Sequence, residues 1–334
     1  DERNEYCLYI GIPFCPTRCL YCSFTSYPIG VYKDKVDAYL DTMEKEMEYV
    51  AASYTEKKLV SIYIGGGTPS SISAEQMDRL CSMIEKHFDL SQVREYTIEA
   101  GRPDSTTADK LQVMKAHGVG RISINPQTMN GETLKLIGRA HTPEQAEEAF
   151  KRAREAGFDN INMDLIVGLP GEDAEMVKRT LEKVKKLAPE SLTVHTLAIK
   201  RAAHLKQEMD KYSFAGDVDE QLSLVGQAAE ELGLAPYYLY RQKNMAGNLE
   251  NVGYARHGLE CLYNILIMEE RTDIIGIGAG SSSKLIRREG DSDPVTGEMI
   301  TGTRIDRVEN CKSVDDYIAR IDEMIDRKKQ AFAK

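Results

Sequence analysis

"CLYIGIPFCPTRCLYCSF", residues 7–24, is a short apolar run that opens into a loop carrying three cysteines. The apolar half, "CLYIGI" (7–12), has the length and composition of a buried strand. Cys15, Cys19 and Cys22 follow it at the spacing C-x3-C-x2-C. Thiolates are soft ligands that suit zinc or an iron–sulfur cluster. A closed structural zinc site needs four protein ligands. Of the other cysteines, Cys7 falls inside the strand and Cys81 on a helix face, so neither is an obvious fourth ligand. A 4Fe–4S cluster accepts three protein ligands when a small molecule takes the last iron. The bland alternative is a set of thiols that only pack, or that share zinc with a distant residue.

Working outward, β-rich runs alternate with helical patterns. "LVSIYI" (59–64), "REYTIEA" (94–100), "GRISINP" (120–126), "FDNINMDLIVG" (158–168) and "ESLTVHTLA" (190–198) are further strand candidates. Residues 33–52 carry Val36, Tyr39, Leu40, Met43, Met47 and Val50 on one helical face. Ser73 reads as the N-cap of a helix through His87, and helical patterns recur near 106–117, 143–156 and 173–187. Strand, helix, strand, repeated about six times, means parallel strands joined by right-handed crossovers. The pattern predicts a curved, incomplete barrel, with a doubly wound open sheet as the alternative. In both, polar residues at strand C-termini converge on one face, where such folds place their chemistry. Here those residues are the cysteine loop, Gly65–Thr68, Glu99, Gln127 and Asp164.

After about residue 200 the rhythm changes. A helix is expected at 217–233, then the aromatic run "PYYLYRQKNM", a Gly/Ser-rich loop "GIGAGSSSK", a strand near 298–308 and an amphipathic helix at 313–328. The expectation is a barrel core over 1–200 and a smaller α+β region over 201–334, packed beside or beneath it. The formal net charge of −10 argues against a nucleic-acid or anionic-membrane partner. No apolar run has the length of a membrane span. Seven cysteines, odd in number and unevenly spaced in a chain too large to need stapling, fit a reducing cytoplasm.

The cysteine spacing after the first strand resembles the radical S-adenosylmethionine (SAM) superfamily. "GGGTPS", "IEAGRPD", "RISINPQTMN", "GRAHT", "MDLIVGLPGE" and "ECLYN" resemble the oxygen-independent coproporphyrinogen III oxidase family, in matching order over nearly the whole chain. "YYLYRQKNMAGNLENVGY" is most similar to its HemZ branch. Members of that branch carry an additional N-terminal region, so this chain is expected to be a piece of a longer protein. The resemblance implies an incomplete (β/α)6 TIM-like barrel and a cluster on Cys15, Cys19 and Cys22. It implies that SAM is the fourth ligand and that one-electron cleavage of SAM yields a 5′-deoxyadenosyl radical.

The resemblance also assigns Tyr9, Phe24, Gly66, Gly67, Thr68 and Glu99 to the SAM on the cluster. Gln127, Arg139, Asp164 and Ala198 fall where the family holds a second SAM. A carboxylate can accept from ribose hydroxyls, and an arginine can pair bidentately with a carboxylate. The glycines of "GGGTP" let backbone approach a ligand closely; a tight turn is their structural alternative. Two positions depart from the oxidases proper. Phe24 stands where they have another cysteine, as in the haem-chaperone branch, and Gly11 stands where they have histidine.

The implied activity is an oxidoreductase of anaerobic haem (porphyrin) biosynthesis. Two propionates of coproporphyrinogen III would be decarboxylated to vinyl groups, giving protoporphyrinogen IX. A haem chaperone and a radical SAM methyltransferase are the alternatives. Arg201, Arg241 and Lys243 are candidate partners for the tetrapyrrole or haem carboxylates, although a given Arg or Lys is more often surface charge. A flavodoxin- or ferredoxin-type electron donor is implied.

Overall fold

The computed structural model describes residues 2–19, 22, 26–197, 217–241 and 250–332. The six expected strands form close to their expected bounds: β1 Glu5–Ile12, β2 Lys58–Gly66, β3 Glu95–Gly101, β4 Arg121–Gln127, β5 Ile161–Val167 and β6 Ser191–Thr196. Between them lie α1 Val36–Ser53, α2 Ala74–His87, α3 Ala108–Ala116, α4 Pro143–Glu155 and α5 Ala174–Leu187. Helix starts follow local chemistry. Ser73 and Gln76 close a capping box on α2, Thr142 and Gln145 close another on α4, and Asp173 caps α5. The apolar face expected on α1 is fully buried from Val36 to Val50.

β1 to β6 lie side by side in chain order and pair in parallel. A doubly wound sheet would reverse strand order at a switch point. No reversal occurs between these strands, so every right-handed crossover lays its helix on the same outer face. This is the winding of a barrel, left incomplete. The strands are buried because helices cover one face and the barrel interior the other.

Residues beyond 200 extend the same sheet at both edges. They supply α6 Val218–Glu231, β7 Ala235–Arg241, β8 Glu250–Ala255, α7 Leu262–Glu269, β9 Asp273–Ile277, β10 Ser282–Arg287, β11 Arg304–Glu309, α8 Val314–Ala319 and α9 Ile321–Phe332. β8 pairs antiparallel with β6, and β7 follows it at the edge. β9 adds parallel to β1, and β10 and β11 continue outward from it. The stretch expected as one Gly/Ser-rich loop therefore holds the ends of two strands. They approach so closely that a Cβ on Gly276 would lie 2.9 Å from the Ser282 backbone. The strand expected near 298–308 starts only at Arg304, after Gly297 and Gly302 at φ +73° and +82° break the extended chain.

Two long-range ties set the C-terminal elements in place. Glu95 accepts from the backbone N–H of Leu262 and Tyr263, and so caps α7 on the barrel's inner face. The Tyr263 ring then packs 4.5 Å from Tyr63 and 6.0 Å from Tyr9. On the outer face, Glu46 of α1 and Lys328 of α9 are both fully buried and 2.6 Å apart. Glu46 also accepts from Asn310 (2.7 Å), from the Gly278 N–H (3.0 Å) and from the Tyr317 hydroxyl.

Candidate functional site

β1 delivers the cysteine segment and β2 delivers the glycine turn beside it. The Gly67 N–H donates to Ile12 O at 2.8 Å and the Thr68 N–H to Phe14 O at 2.7 Å. A Cβ on Gly67 would sit 2.6 Å from Phe14 O and 3.0 Å from Cys15 Sγ. Glycine is thus required for two backbones to meet, the second of them carrying Cys15. The Thr68 hydroxyl lies 3.4 Å from Cys15 Sγ as a donor. Burial pushes the Cys15 thiol above its ordinary range, with Thr68 opposing.

Tyr9, Cys15, Cys19, Cys22, Gly66, Gly67, Thr68, Glu99, Gln127, Arg139 and Asp164 all line one cavity of about 420 Å³. Parallel register explains most of this convergence, since all but Arg139 lie on or in the loop after the C-terminal half of their strand, and Arg139 follows the helix Gly131–Leu136. Phe24, Ala198, Arg201 and Lys243 lie outside the described residues, as does the Arg241 side chain. The other cysteines stand apart from the cavity. Cys7, Cys81 and Cys261 are buried, and burial pushes Cys81 and Cys261 up to about 12, as for inert packing thiols. Among the described residues, no three His, Cys, Asp or Glu side chains converge as donors to a single ion.

The electrostatics are graded across the cavity. Burial raises the Glu99 carboxyl to about 7, against a hydrogen bond donated by the Tyr63 hydroxyl and with the Asp164 charge adding to the rise. Asp164 accepts from Asn162 at 2.6 Å and faces His195 Nε2 at 3.3 Å. Burial pulls the His195 imidazolium down, but the Asp164 hydrogen bond and charge outweigh it and leave the ring raised. Gln127 stands at φ +68°, a left-handed conformation costly for a non-glycine residue, and its buried Oε1 has no hydrogen-bond partner among the described residues. Strain together with an orphan acceptor on a cavity wall is the pattern of a ligand-reading position.

Sequence reading missed three side chains that shape this cavity. His195 lay unremarked inside a strand, two residues on from Thr193, the register partner of Asp164, so period-2 alternation could have placed it on the same face. Arg102 and Thr17 lay in the "IEAGRPD" and cysteine segments. Arg102 is 3% exposed and reaches Cys19 Sγ at 3.6 Å.

Residues 9–184 match the radical SAM superfamily, and the chain belongs to it. It is 48% identical over 292 residues to the oxygen-independent coproporphyrinogen-III oxidase-like protein HemZ of Bacillus subtilis (strain 168), covering 86% of this chain and 58% of that protein. It is 33% identical over 278 residues to the heme chaperone HemW of Lactococcus lactis subsp. lactis (strain IL1403), covering 83% of this chain and 69% of that one. Within the superfamily it therefore falls in the coproporphyrinogen oxidase-like/HemW group. Coproporphyrinogen III oxidase (HemN) from Escherichia coli, a radical SAM enzyme, shares the fold at a TM-score of 0.73 and 23% identity, over 96% of this chain and 70% of that one. The radical SAM fold implies a 4Fe–4S cluster and SAM. The residues present fit that pair: three thiols, a glycine cradle and strand-end polar groups around one cavity. Among the described residues no helix is long and apolar enough to cross a membrane.

Proposed function

We propose that this chain carries the radical SAM centre of a tetrapyrrole enzyme that oxidatively decarboxylates coproporphyrinogen III propionates to vinyl groups. The observation that carries it is the gathering of Cys15, Cys19, Cys22, Glu99, Gln127 and Asp164 around one cavity at the strand C-termini. Cys15, Cys19 and Cys22 would hold the cluster. Tyr9, the Gly66–Thr68 turn and Glu99 would hold the SAM on it, and Gln127, Arg139 and Asp164 a second SAM. Bound there, these groups would supply radical chemistry that removes one propionate β-hydrogen, with CO2 leaving and the remaining electron passing to an external one-electron acceptor as each vinyl group forms.

A second cavity of about 380 Å³ adjoins the first. It shares Tyr9, Gly66 and Gly67 with the first and is otherwise walled by groups that include Tyr263, Ile267, Lys284 and Lys312. An apolar bed with Lys312 and with Lys284, whose ammonium lies 3.7 Å from Glu270, suits a ring bearing carboxylates. Gly11 also lines it, and a Cβ there would touch Ala279 O at 3.4 Å and the Tyr9 ring at 3.7 Å.

Haem carriage is the second reading, favoured by the likeness to HemW. The test is anaerobic: reconstituted, reduced protein with SAM and coproporphyrinogen III, products analysed by mass. Vinyl products support the proposal, and Cys15→Ala, Cys19→Ala or Cys22→Ala should each abolish them. Tight haem binding without turnover would refute it in favour of carriage, and a methyl gain in favour of a transferase.

A further inference from the structure

Arg102 lies just past β3, where Gly101 at φ +70° turns the chain toward the cysteine loop. Its guanidinium is almost wholly buried and is held in a fixed orientation by Asp104. Nε donates to Oδ1 at 3.0 Å and Nη2 to Oδ2 at 3.1 Å. Its remaining donors point at the segment between the first two cavity cysteines and at the second of them. Nη1 reaches Thr17 O at 3.3 Å and Cys19 Sγ at 3.6 Å, and Nη2 reaches Thr17 Oγ1 at 3.0 Å. A buried guanidinium gains little from a neutral thiol. It gains much more from a sulfur that carries negative charge, because such a bond is charge-assisted.

We propose that Arg102 is a positioning residue that sets the reduction potential of the cluster by donating to the Cys19 sulfur, with Asp104 aiming it. This rests on the reading that Cys15, Cys19 and Cys22 hold a 4Fe–4S cluster. Hydrogen bonds to cluster sulfurs and local charge tune such potentials. Reduction adds one negative charge, which the Arg102 cation stabilises, so Arg102 raises the potential. Asp104, bonded to Nε and Nη2 of the same guanidinium, carries the opposite charge and lowers it. The two residues therefore act with opposite signs, whereas a simple anchor for the Thr17 loop would give no such opposition.

The experiment uses the anaerobically reconstituted chain in a potentiometric titration read by the EPR amplitude of the reduced cluster, with iron and sulfide counted per chain. In Arg102→Gln the ratio of reduced to oxidised cluster at a fixed poise should fall about tenfold, which is about 59 mV for a one-electron couple. In Asp104→Asn the ratio should rise. Equal potentials in both variants and the wild type, at equal iron content, would overturn the proposal. So would shifts of the same sign in both, which would mark displacement of the loop. If Arg102→Gln takes up no cluster, Asp104→Asn decides: a raised potential supports the proposal and an unchanged one overturns it. A wild-type chain that takes up no cluster refutes the cluster reading itself, and the role of Arg102 with it.

Discussion

Replacing Glu99 by glutamine should stabilise the metal-free protein at alkaline pH and do little at acid pH. Burial lifts the Glu99 carboxyl from 4.5 to about 7. Below pH 4.5 the carboxyl is protonated in the folded and the unfolded chain alike, so no penalty exists. As pH rises from 4.5 to 7, the unfolded chain releases its proton first, and folding stability falls. Above pH 7 the folded protein holds an ionised carboxylate in a poor solvent, with Asp164 adding repulsion. At 1.36 kcal/mol per unit, the full rise is worth about 3 kcal/mol against the fold. Glu99 is half-buried and meets the cavity, so about 2 kcal/mol is the working figure. Glutamine keeps an acceptor for the Tyr63 hydroxyl and removes the charge. Urea unfolding followed by circular dichroism should show Glu99→Gln more stable than wild type by about 2 kcal/mol at pH 8, and by under about 1 kcal/mol at pH 5. An equal gain at both pH values, or a loss at pH 8, would refute the desolvation account. The cost also has a functional meaning, since a ligand that brings N–H or O–H donors to Glu99 relieves it.

Gly67→Ala should push the cysteine segment away from β2, because its Cβ would meet Phe14 O at 2.6 Å. Iron bound per chain after reconstitution should fall by more than half, while Gly30→Ala, whose Cβ would meet nothing within 4 Å, should bind iron as wild type does. Lys328→Met would leave Glu46 charged and buried, at a cost of about 3–5 kcal/mol. The double change Lys328→Met with Glu46→Gln, which removes the charge but keeps an acceptor for the Gly278 N–H and the Tyr317 hydroxyl, should recover much of that in denaturant unfolding, and a double variant no more stable than the single would show that the charge is not the cause.

The barrel was legible because its signals are local. β1 to β6 announce themselves as apolar runs of strand length, and Ser73 marks a helix start by capping chemistry that spans three residues. Chain-order pairing then follows from the handedness of crossovers, which composition cannot alter. The convergence of Cys15, Glu99, Gln127 and Asp164 was legible for the same reason: residues near the ends of parallel strands share one face whatever their neighbours are. The C-terminal elements were harder. Gly276, Ser282 and Ser283 belong to a Gly/Ser run that reads as loop, yet they lie in the strands Asp273–Ile277 and Ser282–Arg287, and Gly276 is what lets the two backbones approach within 3 Å of a Cβ position.

What sequence could not supply is the pairing of single polar groups across long separations. Arg102 meets Cys19 across 83 positions, and Lys328 meets Glu46 across 282. Arg102, Lys328 and Glu46 each read alone as surface charge, the common fate of their residue types. Only the fold removes the water, and once water is gone a charge must find its partner or lose its ionisation. The buried tie at Glu46 shows what this does to the site. Glu46 holds the Gly278 N–H, and Tyr39 accepts from the Ala279 N–H at 2.9 Å while donating to Gly11 O at 2.6 Å. β1, which delivers the cysteines, is thereby tied to a loop near the far end of the chain. Packing on the outer face and geometry on the inner face are two ends of one hydrogen-bonded path, so substitutions in α9 that break it should disturb the cysteine segment without touching the cavity.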